Sequence, residues 1–145
     1  MGLSENQLLN DINRTYREIA EIYHKISLKL GLSDSVFIIF YARAELGDGC
    51  CQKDISAYYS ISRQTINSSV KNLVKEGFIE TKTQKDNTVQ LFLTKKGQKL
   101  AKEKIYPIID MENNVFLKLT KDEQKEMVRL IKKYSDLLKE EVKNL

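Results

Sequence analysis

Gln52-Lys53-Asp54-Ile55-Ser56-Ala57-Tyr58-Tyr59-Ser60-Ile61-Ser62-Arg63-Gln64-Thr65-Ile66-Asn67-Ser68-Ser69-Val70-Lys71-Asn72-Leu73-Val74-Lys75-Glu76-Gly77-Phe78-Ile79-Glu80 is the stretch that decides the fold. Its first part puts Ile55 and Tyr59 one helical turn apart, so both face the same side. Ser60 is suited to a turn, and Ser62 offers a side-chain oxygen at the N-cap of a second helix. In that helix Ile66, Val70 and Leu73 recur with the period of a buried face, and Gly77 closes it. Beyond it, Phe78–Lys82 and Val89–Leu93 are rich in strand-forming residues, and the turn formers Lys85-Asp86-Asn87 lie between them. A helix, a turn, a helix and a hairpin in this order predict a winged helix-turn-helix, a module that places its second helix in the DNA major groove.

The flanks read as helices. Upstream, Ile12, Tyr16, Ile19, Tyr23, Ile26 and Leu30 form an apolar stripe on a helix running from about Glu5 to Leu30, and Gly31 ends it. Ser33 caps a second helix carrying Val36, Phe37, Phe40, Tyr41 and Ala44 inward, and Gly47-Asp48-Gly49 terminates it. Cys51 then takes the N-cap position of the helix that carries Ile55. Downstream, a helix over about 95–118 carries Leu100, Ile105, Ile108, Met111, Val115 and Leu119, with a distortion at Pro107, which has no backbone N–H. Thr120 and Glu123 form a capping box for a last helix striped by Met127, Leu130, Ile131, Tyr134, Leu137, Leu138 and Leu145. The fold expected is mainly α: a three-helix core with a β-hairpin wing, and N- and C-terminal dimerisation helices. It forms one domain over 1–145, with a DNA-binding lobe at about 33–97 and dimerisation helices at about 5–30 and 98–145. The long apolar faces of the outer helices exceed what one small core covers, so a homodimer is expected.

Charge supports the same reading. The chain is +4 overall, yet residues 52–99 hold nine Lys and Arg against four Asp and Glu, so the positive excess sits in this segment. A surface that meets phosphates needs that distribution. No run of about 18 apolar residues suggests a membrane span. The N-terminus lacks a secretory pattern. Met1-Gly2 begins a myristoylation signal that the residues after it do not complete. A cytoplasmic protein is expected.

The polar face of the helix starting at Ser62 presents Arg63, Gln64, Thr65, Asn67, Ser68, Lys71 and Asn72. Arg can donate two hydrogen bonds to guanine, and Asn or Gln can pair bidentately with adenine. Lys71 and Asn72 suit backbone contacts, as does Lys53. On the wing, Lys82, Lys85 and Asn87 can reach a phosphate or the minor groove. With no arginine at the tip, the wing is expected to add affinity more than sequence preference.

Several of these segments together are similar to the MarR family of bacterial winged-helix regulators. Gln52-Lys53-Asp54-Ile55-Ser56 resembles the family's Gln-Lys-x-Leu-Ala, and Ile61-Ser62-Arg63-Gln64-Thr65-Ile66 its Ile-Ser-x-x-Thr-Val. Leu73 to Ile79 resembles its Leu-x-x-x-Gly-Leu-Ile/Val, Leu93-Thr94-Lys95-Lys96-Gly97 its Leu-Thr-x-x-Gly, and Ser33 to Phe37 the start of its second helix. The resemblance implies an intertwined dimer, a pseudo-palindromic operator, repression, and a crevice where small ligands weaken DNA binding. It departs from the family in three places. Asp86-Asn87-Thr88 lacks the arginine of Asp-x-Arg, Cys51 replaces the usual Thr or Ser cap, and Ser60 stands where Gly often turns.

The remaining candidates are chemical. A cysteine at a helix N-terminus can have a lowered pKa, so Cys50 and Cys51 are candidate redox residues against plain packing roles. Ile12, Tyr16, Phe37, Tyr41 and Ile55 are candidate lining residues of an effector crevice, each equally suited to the core. His24, the only histidine, excludes a multi-histidine metal site, and neither a metal nor a cofactor is expected. No nucleophile–base set or phosphate loop stands out, so an enzyme ranks last. The partners expected are double-stranded DNA, a second copy of the chain and a small-molecule effector. A winged-helix protein-interaction module without operator binding is the alternative.

Overall fold

The structure, a computed structural model, describes residues 6–145. Glu5 and the Met1-Gly2 pair lie outside the described residues. The chain divides into two compact units, Met1–Ile105 and Tyr106–Leu145.

In the first unit, α1 (Gln7–Leu30) starts at Asn6, whose side chain accepts from the Leu9 N–H at 3.1 Å, and ends at the left-handed Gly31. Its last carbonyl is bound by Lys104 Nζ, which donates to Leu30 O at 2.7 Å. A cation at that end also suits the helix dipole. Helix α2 (Asp34–Leu46) is capped by Ser33 Oγ, which accepts from Val36 N at 3.2 Å. Of its expected inward residues, Phe37 and Phe40 are buried, whereas Val36, Tyr41 and Ala44 are half-buried. Ile39 and Ala42 are wholly buried and were not expected. Packing on several sides explains this: α1, α3, α4 and the chain after α5 all touch α2, so no single stripe describes it.

Helices α3 (Gln52–Tyr59) and α4 (Arg63–Lys75) form the helix-turn-helix. Ser60 makes the turn in the left-handed conformation, φ 52°. Ile61 N donates to Ser56 O at 3.1 Å while Ser56 Oγ donates to Ile61 O, which closes the corner twice over. The core beneath holds Ile39, Phe40, Ile55, Ile66, Val70 and Leu73. Each such side chain contributes about 1.5–3 kcal/mol when buried.

Strands β1 (Ile79–Thr83) and β2 (Val89–Leu93) pair antiparallel, Ile79 opposite Leu93 and Thr83 opposite Val89. Their buried residues, Ile79, Leu91 and Leu93, seal the base of the wing. Gly49 N donates to Leu91 O, and Leu91 N to Cys50 O, both at 2.9 Å, so Gly49–Cys51 edges the hairpin as a short third segment. At the tip, Asn87 N donates to Gln84 O and Gln84 N to Thr88 O. That is the pattern of a three-residue hairpin loop whose last residue, Asn87, is left-handed at φ 65°.

The helix expected over about 95–118 is three pieces: α5 (Lys95–Leu100), a π-helical segment (Ala101–Ile105) and α6 (Tyr106–Phe116). Pro107 has no N–H for the carbonyl four residues earlier, so the distortion falls in the turn before it.

In the second unit, α6 is followed by α7 (Lys121–Val142). The capping box forms as expected: Glu123 N donates to Thr120 Oγ1 at 3.1 Å and Thr120 N to Glu123 Oε2 at 2.7 Å. Gln124 Nε2 donates to Phe116 O and Leu119 O across the α6–α7 corner. No residue of α7 is buried, and its stripe, from Tyr134 at 37% to Leu137 at 56%, is exposed in the single chain. Ile12, Tyr16 and Ile19 on α1 are likewise exposed, at 41–45%. Among the described residues, no helix is long and apolar enough to cross a membrane.

Candidate nucleic-acid interface

Ser62 fixes the start of α4. Its Oγ accepts from Thr65 N at 3.1 Å and donates to Thr65 Oγ1 at 2.8 Å. On the inner side, Ser69 Oγ meets Ser35 Oγ of α2 at 2.7 Å, a half-buried anchor added to Ile66, Val70 and Leu73. With its inner face held, α4 leaves Arg63, Gln64, Thr65, Asn67, Ser68, Lys71 and Asn72 exposed.

A groove of about 630 Å3 opens beside the first half of this helix. Arg63, Gln64 and Asn67 form one wall, Gln52 and Lys53 at the start of α3 a second, and Asp86, Asn87, Thr88 and Val89 of the wing a third. Five residues expected from the sequence therefore converge: Lys53, Arg63, Gln64, Asn67 and Asn87. Lys82 and Lys85 are exposed on the wing without lining the groove, and Ser62, Thr65, Ser68, Lys71 and Asn72 follow α4 outside it. Gln52, Asp86, Thr88 and Val89 were not anticipated there. The hairpin register, which sequence patterning leaves open, brings Asp86, Thr88 and Val89 to the helix, and Gln52 comes with the start of α3.

Asp86 is the acidic member of this wall. Its Oδ1 accepts from Thr88 Oγ1 at 2.6 Å and from Thr88 N at 3.1 Å. The hydroxyl and amide of Thr88, with the nearby Lys53 ammonium adding to them, hold the Asp86 carboxyl below its usual range. Asp86 is therefore a carboxylate at neutral pH.

The cysteines fall differently from expectation. Cys51 is the N-cap of α3, but its side chain makes no capping hydrogen bond. Cys50 is buried, and burial pushes its thiol up to about 11, with the Arg43 guanidinium acting in the opposite sense. This corrects the expected lowering for Cys50: it is protonated at neutral pH and poorly nucleophilic. Unfolding frees the thiol to ionise near its ordinary value of 9.0, so the folded state loses stability between pH 9 and about 11 and gains nothing from this thiol below that window. Denaturation titrations across this range should show a shallower fall in Cys50→Ala than in the wild type, and parallel curves would show that the thiol does not contribute.

The crevice candidates also separate. Ile55 (0% exposed) and Phe37 (5%) are core, which corrects their assignment as lining residues, because neither has surface left for a ligand. Tyr41 is half-buried between the Phe37 and Tyr59 rings, with centroids 5.8 and 6.5 Å away. Tyr59 donates to Glu45, and burial together with that carboxylate raises its pKa. Ile12 and Tyr16 stand exposed on α1. His24 Nδ1 lies 2.9 Å from Asp34 Oδ2, joining α1 to the first turn of α2.

Comparison with known proteins gives the same picture. Residues 30–87 match the model of the MarR family. An uncharacterized HTH-type transcriptional regulator, YwoH of Bacillus subtilis (strain 168), is 25% identical over 127 residues, covering 87% of this chain and 91% of the relative. The structure of NMB1585, a MarR family regulator from Neisseria meningitidis, superposes with a TM-score of 0.82 at 19% identity, over 96% of this chain and 99% of that one. MepR from S. aureus, solved as a DNA complex, gives a TM-score of 0.68 at 25% identity, over 85% and 94% of the two chains.

Proposed function

We propose that this chain is a DNA-binding transcriptional regulator of the MarR family rather than an enzyme, and that it acts as a homodimeric repressor on a pseudo-palindromic operator. The observation that carries this reading is the groove in which Lys53, Arg63, Gln64, Asn67 and Asn87 converge beside an α4 anchored by buried Ile66, Val70 and Leu73. In this reading α4 enters the major groove, with Arg63, Gln64, Asn67 and Ser68 toward base edges. Ser62, Thr65, Lys71, Asn72 and Lys53 meet the sugar-phosphate backbone, and Lys82, Lys85 and Asn87 meet the flank. The exposed stripes of α1 and α7 are the surfaces for a second copy, and two copies match the symmetry of a palindrome. Signal control acts through a small ligand near Tyr41 or through oxidation of Cys51, since Cys50 is held protonated.

The test is selection of bound sites from random duplexes, followed by titration of the selected site at several salt concentrations. A palindromic consensus is expected, with log K falling against log salt by about 0.9 per neutralised phosphate. Sedimentation is expected to give a species of twice 16.8 kDa. No enriched site and weak, salt-insensitive binding would instead mean that the winged helix serves protein contacts.

A further inference from the structure

We infer that the wing tip selects against narrow A·T minor grooves and for G·C pairs in the operator flanks, with Asp86 as the specificity-determining residue. The inference rests on the reading above, in which α4 lies in the major groove and the wing falls on the neighbouring minor groove.

Three observations support it. Asp86 lines the same groove as Arg63, Gln64 and Asn67, so DNA that engages those residues passes the carboxylate. The carboxylate is fixed, since Thr88 donates to it through both its hydroxyl and its amide. Both bonds fall on Oδ1, so Oδ2 takes none of the described hydrogen bonds and, on an exposed residue, is available as an acceptor. Finally, Asp86-Asn87-Thr88 holds no cation and Lys85, the nearest one in sequence, does not line the groove; the cation near Asp86 is Lys53, which stands on α3 and not on the wing.

The consequences for the two classes of base pair run in the same direction. A narrow A·T minor groove concentrates negative potential, which attracts arginine and repels a carboxylate. Its edges display only acceptors, adenine N3 and thymine O2, with nothing for Oδ2 to bind. A G·C pair adds the guanine 2-amino group, the donor that a carboxylate requires. Asn87 can serve either class through its amide and adds no bias.

The experiment uses the full chain and the selected duplex, its core unchanged and its flanks made all A·T, G·C-containing, or I·C-containing. Inosine removes the 2-amino group alone. Wild-type protein is expected to bind the G·C flank about fivefold tighter than the A·T flank, the low end for one base-edge contact, and inosine should remove most of that gain. Asp86→Asn retains an amide oxygen for Thr88 but loses the charge, and its preference should fall below about twofold. Equal wild-type affinity for the G·C and A·T flanks, a gain that survives inosine, or a preference unchanged in Asp86→Asn would overturn the inference. If core discrimination persists in those cases, the reader assignment of α4 stands. If a scrambled core binds as well as the selected one, both fail together.

Discussion

Alanine in place of Gly97 is expected to destabilise the first unit by about 3 kcal/mol, the upper end of the usual cost of overpacking. A Cβ built at this position would sit 2.1 Å from the Phe78 carbonyl oxygen and 3.1 Å from its carbon. The obstacle is backbone, and it is tied in place. Thr94 N donates to that same Phe78 oxygen at 3.1 Å, and Thr94 Oγ1 donates to Gly77 O at 2.6 Å while accepting from Gly97 N at 3.1 Å. Lys96 Nζ donates to Glu76 O at 2.7 Å and lies 4.2 Å from the centre of the Phe78 ring. Relief of the clash would break the bonds that join the C-terminus of α4 to the base of the wing. The wing would then lose its register against α4, and operator affinity should fall together with stability. Chemical denaturation of the variant and wild type measures the first effect directly. A midpoint shift equivalent to less than about 0.5 kcal/mol, the range of ordinary surface changes, would show that α5 is free to move.

Arg63→Ala is expected to leave stability unchanged and to cost about 1–3 kcal/mol in operator binding, with discrimination lost at one base pair. Arg63 opens α4, is exposed, lines the groove, and forms no hydrogen bond or ion pair among the described residues. Its guanidinium is therefore available to a guanine edge without breaking an internal bond. Lys85→Ala, on the wing outside the groove, should instead weaken operator and random DNA alike. Competitive titration of both variants against both duplexes separates the roles. Equal loss on operator and random DNA for Arg63→Ala would remove it from base reading.

Most of the scaffold was legible because local rules and packing agree. Ser33, Ser62 and Thr120 cap where short polar side chains precede apolar periodicity, and Val89–Leu93 is a strand as its composition requires. What escaped the sequence was set by tertiary contact. Ile39 and Ala42 are buried because α2 is surrounded, a condition that no single-face stripe encodes. Gly49–Cys51 joins β2 through backbone bonds from a Gly-Cys-Cys run without strand alternation. Pro107 announced a distortion, but its π-helical form, upstream of the proline, was not encoded in periodicity. In the interface, Arg63, Gln64 and Asn67 were visible from helical spacing and side-chain chemistry. The place of Asp86 in the same groove depended on the hairpin register, and the Ser35–Ser69 anchor joins residues 34 apart in sequence.

The most direct measurement of the central claim is interference by guanine N7 methylation in the selected operator. With α4 in the major groove, methylation of a few guanines in each half-site should block binding, and interference at one of them should disappear in Arg63→Ala while the others persist. Methylation that blocks nowhere in the major groove, or a pattern identical in wild type and Arg63→Ala, would contradict it.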